Sequence, residues 1–164
     1  MSRCEWIVCE RTDRWAAALR VTIAGQADWP ACTPRLYEVR SLEELGARLE
    51  LRPDCLVLIN VDEANLSRVL PWLAAARGNY SGVRFVALID HDFDSCGQDV
   101  ADAILEAGAA DFATSPRHLP QILPLARRHA AAIAARQSAA ASDDSFVASV
   151  WFSLPWQADE REVP

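Results

Sequence analysis

The stretch Pro53-Asp54-Cys55-Leu56-Val57-Leu58-Ile59-Asn60-Val61-Asp62 constrains the fold more than any other part of the chain. It opens on a Pro-Asp pair, runs apolar from Cys55 to Ile59, and turns polar at Asn60 and Asp62. An unbroken apolar run of this kind suits a central parallel strand covered by helices on both faces. In open parallel sheets, ligands and chemistry gather beyond the carboxyl ends of the strands. Asn60 and Asp62 fall at that end.

The rest of the chain alternates around this strand. Glu5 to Cys9 reads as a first strand ending at Glu10. Asp13 can cap a helix reaching about Gly25, with Trp15, Leu19 and Ile23 four apart on one face. A loop with two prolines follows, and Trp29 within it is expected to fold back on the body. Arg35 to Val39 is short and half polar, as an edge strand would be. Ser41-Leu42-Glu43-Glu44 is a capping box, opening a helix with Leu42, Leu45 and Leu49 on one side. After the anchor strand, Asp62 or Asn65 caps a helix reaching Arg77-Gly78. Pro71 lies inside it, so the helix bends there or its regular part begins near Leu70. Val83 to Ile89 is a second fully apolar strand. The acidic loop Asp90-His91-Asp92-Phe93-Asp94-Ser95-Cys96-Gly97 leads to a helix over 98–107, stopped by Gly108. Asp111 to Ala113 is a short last strand. A final helix runs from Leu119 or Pro120 to about Arg136, with a start distorted by Pro124.

Five strand–helix repeats specify a parallel sheet with right-handed crossovers. About 137 residues fit a flavodoxin-like, three-layer α/β fold with strand order 2-1-3-4-5 and helices on both faces. The domain is expected over residues 4–137, and 138–164 is expected to be a linker, a short aromatic helix and a tail. The run from Gln137 to Ser142 is rich in small residues and fits either a linker or more helix.

Composition narrows the function. The chain has 164 residues and a net charge of −7. That excess of acid argues against nonspecific binding to nucleic acid or anionic membranes. All sixteen basic residues are Arg, so no step can use a lysine amine. The five cysteines, at 4, 9, 32, 55 and 96, form no CxxC pair. An odd count with no signal peptide reads as reduced and cytoplasmic. No apolar run approaches the roughly 20 residues of a membrane helix.

At the level of motifs the chain resembles the receiver domain of bacterial two-component response regulators. The resemblance covers about residues 4 to 137. It rests on Ile7-Val8-Cys9-Glu10, on Pro53-Asp54 through Asn60, on Val86-Ala87-Leu88-Ile89, and above all on Gly108-Ala109-Ala110-Asp111-Phe112 through Ser115-Pro116. That last segment is similar to the family pattern GA-x-D-[YF]-x-x-K-P. The resemblance implies phosphoryl transfer to an Asp ending the third strand. Two acids after the first strand hold Mg²⁺, a Ser or Thr follows the fourth strand, and a Lys precedes the Pro of the fifth. Divalent cations need carboxylate oxygens, and developing negative charge needs fixed cations.

These positions are occupied differently here. The acid pair falls on Cys9 and Glu10, leaving one carboxylate. The nucleophile falls on Asn60, whose amide does not attack phosphate. The hydroxyl position falls on Ile89 or Asp90, and the Lys position on Ser115. A shift of register to Asp62 would restore an acceptor but neither the Lys nor the second acid. The resemblance therefore implies the fold and argues against the family's reaction: a pseudo-receiver, not an enzyme, with no cofactor and no metal. By the same resemblance, partners would meet the surface around Ala103, Ala107, Phe112, Arg117 and Gln121.

Two other constellations stand out. Glu10, Asp62, Asp90 and His91 could form an acidic pocket at the carboxyl ends of the strands, suited to a metal, a small ligand or acid–base chemistry. The loop itself, with Asp90, His91, Asp92, Asp94 and Cys96, could be a divalent-metal or acid–base site, and the bland alternative for it is a solvated loop with Asp capping the next helix. His118 and His129 are isolated and read as surface or helix-end residues. No phosphate-cradling or nucleophile-elbow motif occurs. The second constellation is the tail. With Asp143 or Asp144 as its cap, Phe146, Val147, Val150, Trp151 and Leu154 form an apolar stripe at helical spacing, and Trp156 follows Pro155. The stripe either folds back on its own domain or docks in a partner as a helix with aromatic anchors; a homodimer is one such arrangement. The segment after 137 is too short and too acidic for a DNA-binding output domain. A protein partner in signalling or regulation is the expectation that follows, and a ligand-binding or enzymatic acidic pocket is the alternative.

Overall fold

The computed structural model describes residues 4–29, 33–90 and 97–152; for 97 and 141–152 it describes the backbone. The elements are β1 (Glu5–Cys9), α1 (Arg14–Ala24), β2 (Arg35–Val39), α2 (Leu42–Leu51), β3 (Leu56–Val61), α3 (Leu66–Asn79), β4 (Arg84–Ile89), α4 (Gly97–Ala107), β5 (Asp111–Ala113) and α5 (Leu119–Phe152), with a 3₁₀ turn at Pro116–His118 before α5. All strand pairs are parallel, in the order β2-β1-β3-β4-β5. This is the expected flavodoxin-like sheet, with the apolar run of β3 in its centre.

Alternation along the strands builds two cores. Ile7, Cys9, Val57, Ile59, Val61, Phe85, Ala87 and Ile89 meet α2, α3 and α4. Trp6, Val8, Leu56, Leu58, Val86 and Leu88 meet α1 and α5. Every one of these side chains is at least nine-tenths buried. Trp29 does fold back: its ring meets Trp6 edge-on at 5.5 Å. Arg127 on α5 lies over the same ring, 5.8 Å from its centroid, and donates to Gln26.

The helix starts differ in detail from those read in the sequence. Ser41 caps α2 as expected, accepting from Glu44 N–H at 3.1 Å. Glu44 reaches back to the N–H of Arg40 rather than to that of Ser41. Asp13 makes no side-chain cap on α1. Neither Asp62 nor Asn65 caps α3; they close a turn on each other, Asp62 Oδ1 accepting from Asn65 N–H and Asn65 Oδ1 from Asp62 N–H. α3 is helical from Leu66 straight through Pro71. Gly108 stops α4 at φ +121°, a conformation that favours glycine, with the Arg77 side chain where a Cβ would stand.

α5 continues through 138–142, so that run is helix rather than linker, and Asp143 and Asp144 lie inside α5 instead of opening a separate helix. The alanines at 139–141 explain this, since alanine has the highest helix propensity. His129, expected at the surface, is buried: the backbone carbonyl of Cys55 lies 3.0 Å from its Nε2. Burial pushes its pKa below the ordinary histidine value, so the ring is neutral and Nε2–H donates to that carbonyl.

Candidate functional site: a closed carboxyl end of the sheet

The alternation that fills the α1–α5 core also sets the site. Glu10 continues Trp6 and Val8, Asn60 continues Leu56 and Leu58, and Asp90 continues Val86 and Leu88. The ladder carries on past the strands, with Glu10 N–H bonded to Val39 and Asp90 N–H to Val61. Three polar side chains therefore emerge from three adjacent strands on one side, at the N-terminal end of α1.

Each is already engaged. Glu10 is 2% exposed, and its two oxygens accept from the N–H groups of Trp15, at 3.0 Å, and Ala16, at 2.6 Å. It is the carboxylate that closes the start of α1, where orphan N–H groups and the helix dipole favour negative charge. Asp90 Oδ1 accepts from Arg14 Nη1 at 3.1 Å and from the Trp15 indole N–H at 3.2 Å. Asp90 Oδ2 accepts from Asn60 Nδ2 at 2.9 Å. The same amide nitrogen donates to Leu88 O at 3.2 Å, and the backbone carbonyl of Asn60 accepts from Asn65 Nδ2 at 3.0 Å. A carboxylate with three donors, one of them a guanidinium, has its charge met from within the chain.

The other positions drawn from the receiver resemblance do not join this cluster. Cys9 points into the α2–α4 core, where burial first, and then the carboxylates of Glu44, Glu43 and Glu10, push its thiol up to about 11. It stays protonated at neutral pH. Ile89 is buried in the same core. Ser115 caps the 3₁₀ turn, accepting from Arg117 N–H. Asp62 is held in its turn with Asn65. His91, the fourth member of the acidic pocket read in the sequence, lies outside the described residues, as do Asp92, Asp94 and Cys96. So do Leu154 and Trp156, while Phe146, Val150 and Trp151 fall within α5 where the backbone alone is described.

A cleft opens beside the cluster, between the starts of α2 and α3, lined by Cys9, Glu10, Arg40, Glu43, Asn60 and Arg68 among others. Two of its arginines are paired, one of them with residues that do not line it. Arg40 meets Asp13 and Glu38, and Arg68 meets Glu43 at 3.1 Å.

The receiver resemblance implies Mg²⁺, and these residues do not fit it. Glu10 spends both oxygens on α1, the neighbouring acid is a protonated thiol, and Asp90 faces a guanidinium. Among the described residues no group of three or more His, Cys, Asp and Glu side chains is arranged to hold a metal ion. Among them, too, no helix is long and apolar enough to cross a membrane. Sequence reasoning placed Asp90 and Glu10 at the right end of the sheet but missed Arg14 and Trp15, which reach Asp90 from about 75 residues away in sequence. The signal was present: Arg14-Trp15 opens the helix after the first strand.

No family model and no curated protein matches the chain. Among solved structures it is similar to a CheY-like protein (tadZ) from Pseudomonas aeruginosa PAO1, with a TM-score of 0.59 and 20% identity over 79% of this chain and 94% of that one. At that identity the likeness shows the fold: a CheY-like sheet with its helices.

Proposed function

We propose that the chain is a pseudo-receiver: a CheY-like scaffold that makes regulatory contacts between proteins and does not take up phosphate at the sheet's carboxyl end. The observation that carries this reading is the Arg14–Asp90–Asn60 cluster. In a working phosphoryl site the carboxylates must be free to take a divalent cation and to meet an incoming phosphoryl group. Here an amide stands at the end of β3, and the remaining carboxylates are bound to donors of their own chain. Such a closed end can hold α1 in register against β3 and β4 whatever the phosphate supply.

What the scaffold offers instead is surface. The α4–β5–α5 side around Ala103, Ala107, Phe112, Arg117 and Gln121, and the end of α5 with Phe146, Val150 and Trp151, are what we assign to partners, together with Leu154 and Trp156, which follow in the sequence. The test is a titration of the full chain with Mg²⁺ and with beryllofluoride, which mimics a phosphoryl group on a carboxylate. Amide NMR peaks of Asn60, Asp62 and Asp90 that stay in place support the reading. Saturable shifts at those residues would overturn it.

A further inference from the structure

At the end of the sheet opposite the closed cluster, the chain carries an arginine-lined notch. It lies between the end of α3, the start of β4 and the end of α4, and measures about 350 Å³. Arg77, Tyr80, Ser81, Arg84 and Leu105 line it, with Phe85 from the core. No Asp or Glu is among the described residues around it, in a chain whose net charge is −7. Arginines elsewhere on the body, such as Arg14, Arg68 and Arg136, meet carboxylates. Among the described residues Arg77 and Arg84 meet none. The stem of Arg77 lies against Gly108, where the absent Cβ leaves it room. Arg84 Nη1 donates to the carbonyl of Val83 at 3.3 Å, which leaves the other donors of its guanidinium to be used. Acids next to the lining residues are engaged. Glu50 accepts from the Tyr80 hydroxyl at 2.6 Å, Asp54 pairs with Arg136, and Asp111 accepts from the N–H of Phe112. Leu105, on the same notch, is 37% exposed.

We infer that this notch docks an acidic segment of a partner protein, its carboxylates on Arg77 and Arg84 and an apolar side chain on Leu105. The inference rests on the contact-making reading above and gives the partner its chemistry. Charge complementarity selects an acid: a guanidinium takes a carboxylate through two parallel hydrogen bonds. Arg77 is held by its packing on Gly108, so it gives up less freedom on pairing than a loose side chain would. The exposed Leu105 adds apolar surface that a neighbouring side chain can cover. Shape selects a chain segment over a small molecule. Small-ligand sites enclose most of the ligand's surface, and this notch stays open to solvent on one side. Charges more than about 10 Å away are screened at ordinary salt, so the two local arginines outweigh the acid spread over the rest of the chain.

The test is an NMR titration of the full chain with the peptide acetyl-Leu-Glu-Glu-Leu-amide. Acetyl-Leu-Gln-Gln-Leu-amide and inorganic phosphate run as parallel arms. The acidic peptide is expected to shift the amide peaks of Arg77, Arg84, Leu105 and Gly108 saturably, and the neutral peptide to leave them in place. R77Q/R84Q is expected to raise the dissociation constant about ten-fold or more at unchanged thermal unfolding. If that variant loses its fold, added salt on the native chain takes its place, and it should weaken binding. No saturable shift, an equal response to the neutral peptide, or binding indifferent to the substitutions and to salt would overturn the inference. So would phosphate binding as tightly as the acidic peptide, which makes the notch a small-anion site. The same peaks moving on dilution of the chain alone would also overturn it, since the occupant is then a second copy. The closed carboxyl end is judged on the peaks of Asn60, Asp62 and Asp90 at the other end of the sheet, so the two readings fail separately.

Discussion

Asn60 Nδ2 stands 2.9 Å from Asp90 Oδ2, one amide joining the carboxyl ends of β3 and β4. The same nitrogen reaches Leu88 O, so Asn60 acts as a crosslink between neighbouring strands. Asp90 then passes the connection to α1 through Trp15 and Arg14. An amide can do this because it donates; a carboxylate in its place could only accept.

Asn60→Asp therefore removes a donor and sets a carboxylate beside Asp90. The expected cost at neutral pH is about 1–3 kcal/mol, the range for an unpaired buried polar group, read by urea denaturation. The two carboxylates repel, so one pKa of the pair rises, and the penalty should shrink as acid protonates it. A variant as stable as the native chain at neutral pH would contradict the crosslink role.

Glu10 holds the start of α1 through Trp15 N–H and Ala16 N–H. Glu10→Ala should cost about 1–3 kcal/mol in global stability. Glu10→Gln should cost less, since the amide oxygen still accepts. Hydrogen exchange would localise the effect, with amides 15 and 16 the first to lose protection. Unchanged exchange there would rule out Glu10 as the cap.

His129 makes stability depend on pH. Its pKa is lowered in the folded chain, chiefly by burial, while the unfolded chain protonates near the ordinary value of about 6.5. The unfolded state then binds more protons, so stability rises with pH. The contribution is complete above about pH 6.5 and is lost as pH falls through the folded value, at up to about 1.4 kcal/mol per pH unit. His129→Gln should flatten that part of the curve between pH 7 and 5. If native and variant curves run parallel, His129 is not the group responsible.

Gly82 has no room for a side chain. A Cβ there would collide with Asp54 Oδ1 and lie 2.7 Å from the carbonyl of Pro53. Gly82→Ala must displace backbone ahead of β3 as well as the Asp54 that pairs with Arg136. A loss of about 1–3 kcal/mol is expected, measured by thermal unfolding, whereas Gly46→Ala, where nothing lies within 4 Å, should be neutral or stabilising because alanine is the better helix former.

What the sequence made legible follows its local patterns. The apolar run ending at Ile59, the strand–helix alternation, the Ser41 cap and the Gly108-Ala109-Ala110-Asp111-Phe112 segment are short-range features, and they led to the strand order and to the placement of Asn60 and Asp90. The meaning of the polar residues was not legible in the same way. Whether Glu10 is a metal ligand or a helix cap depends on which N–H groups lie near it, and those belong to the next helix. Asp90 depends on Arg14 and Trp15, and His129 on Cys55, each pair about 75 residues apart. One histidine in an alanine-rich helix carries no mark of burial. Asp13 looks like a cap by residue type, and it lost that role to a carboxylate already buried behind the helix.

The most direct test of the closed carboxyl end is phosphoryl transfer itself. The full chain would be incubated with a small acyl-phosphate donor and Mg²⁺ and read by intact mass. The expected result is the unmodified mass for the native chain and for Asn60→Asp alike, because the substitution restores an acceptor but neither the second acid nor the missing Lys. A stable phosphoryl adduct on the native chain, mapped to Asp62 or Asp90, would contradict the account.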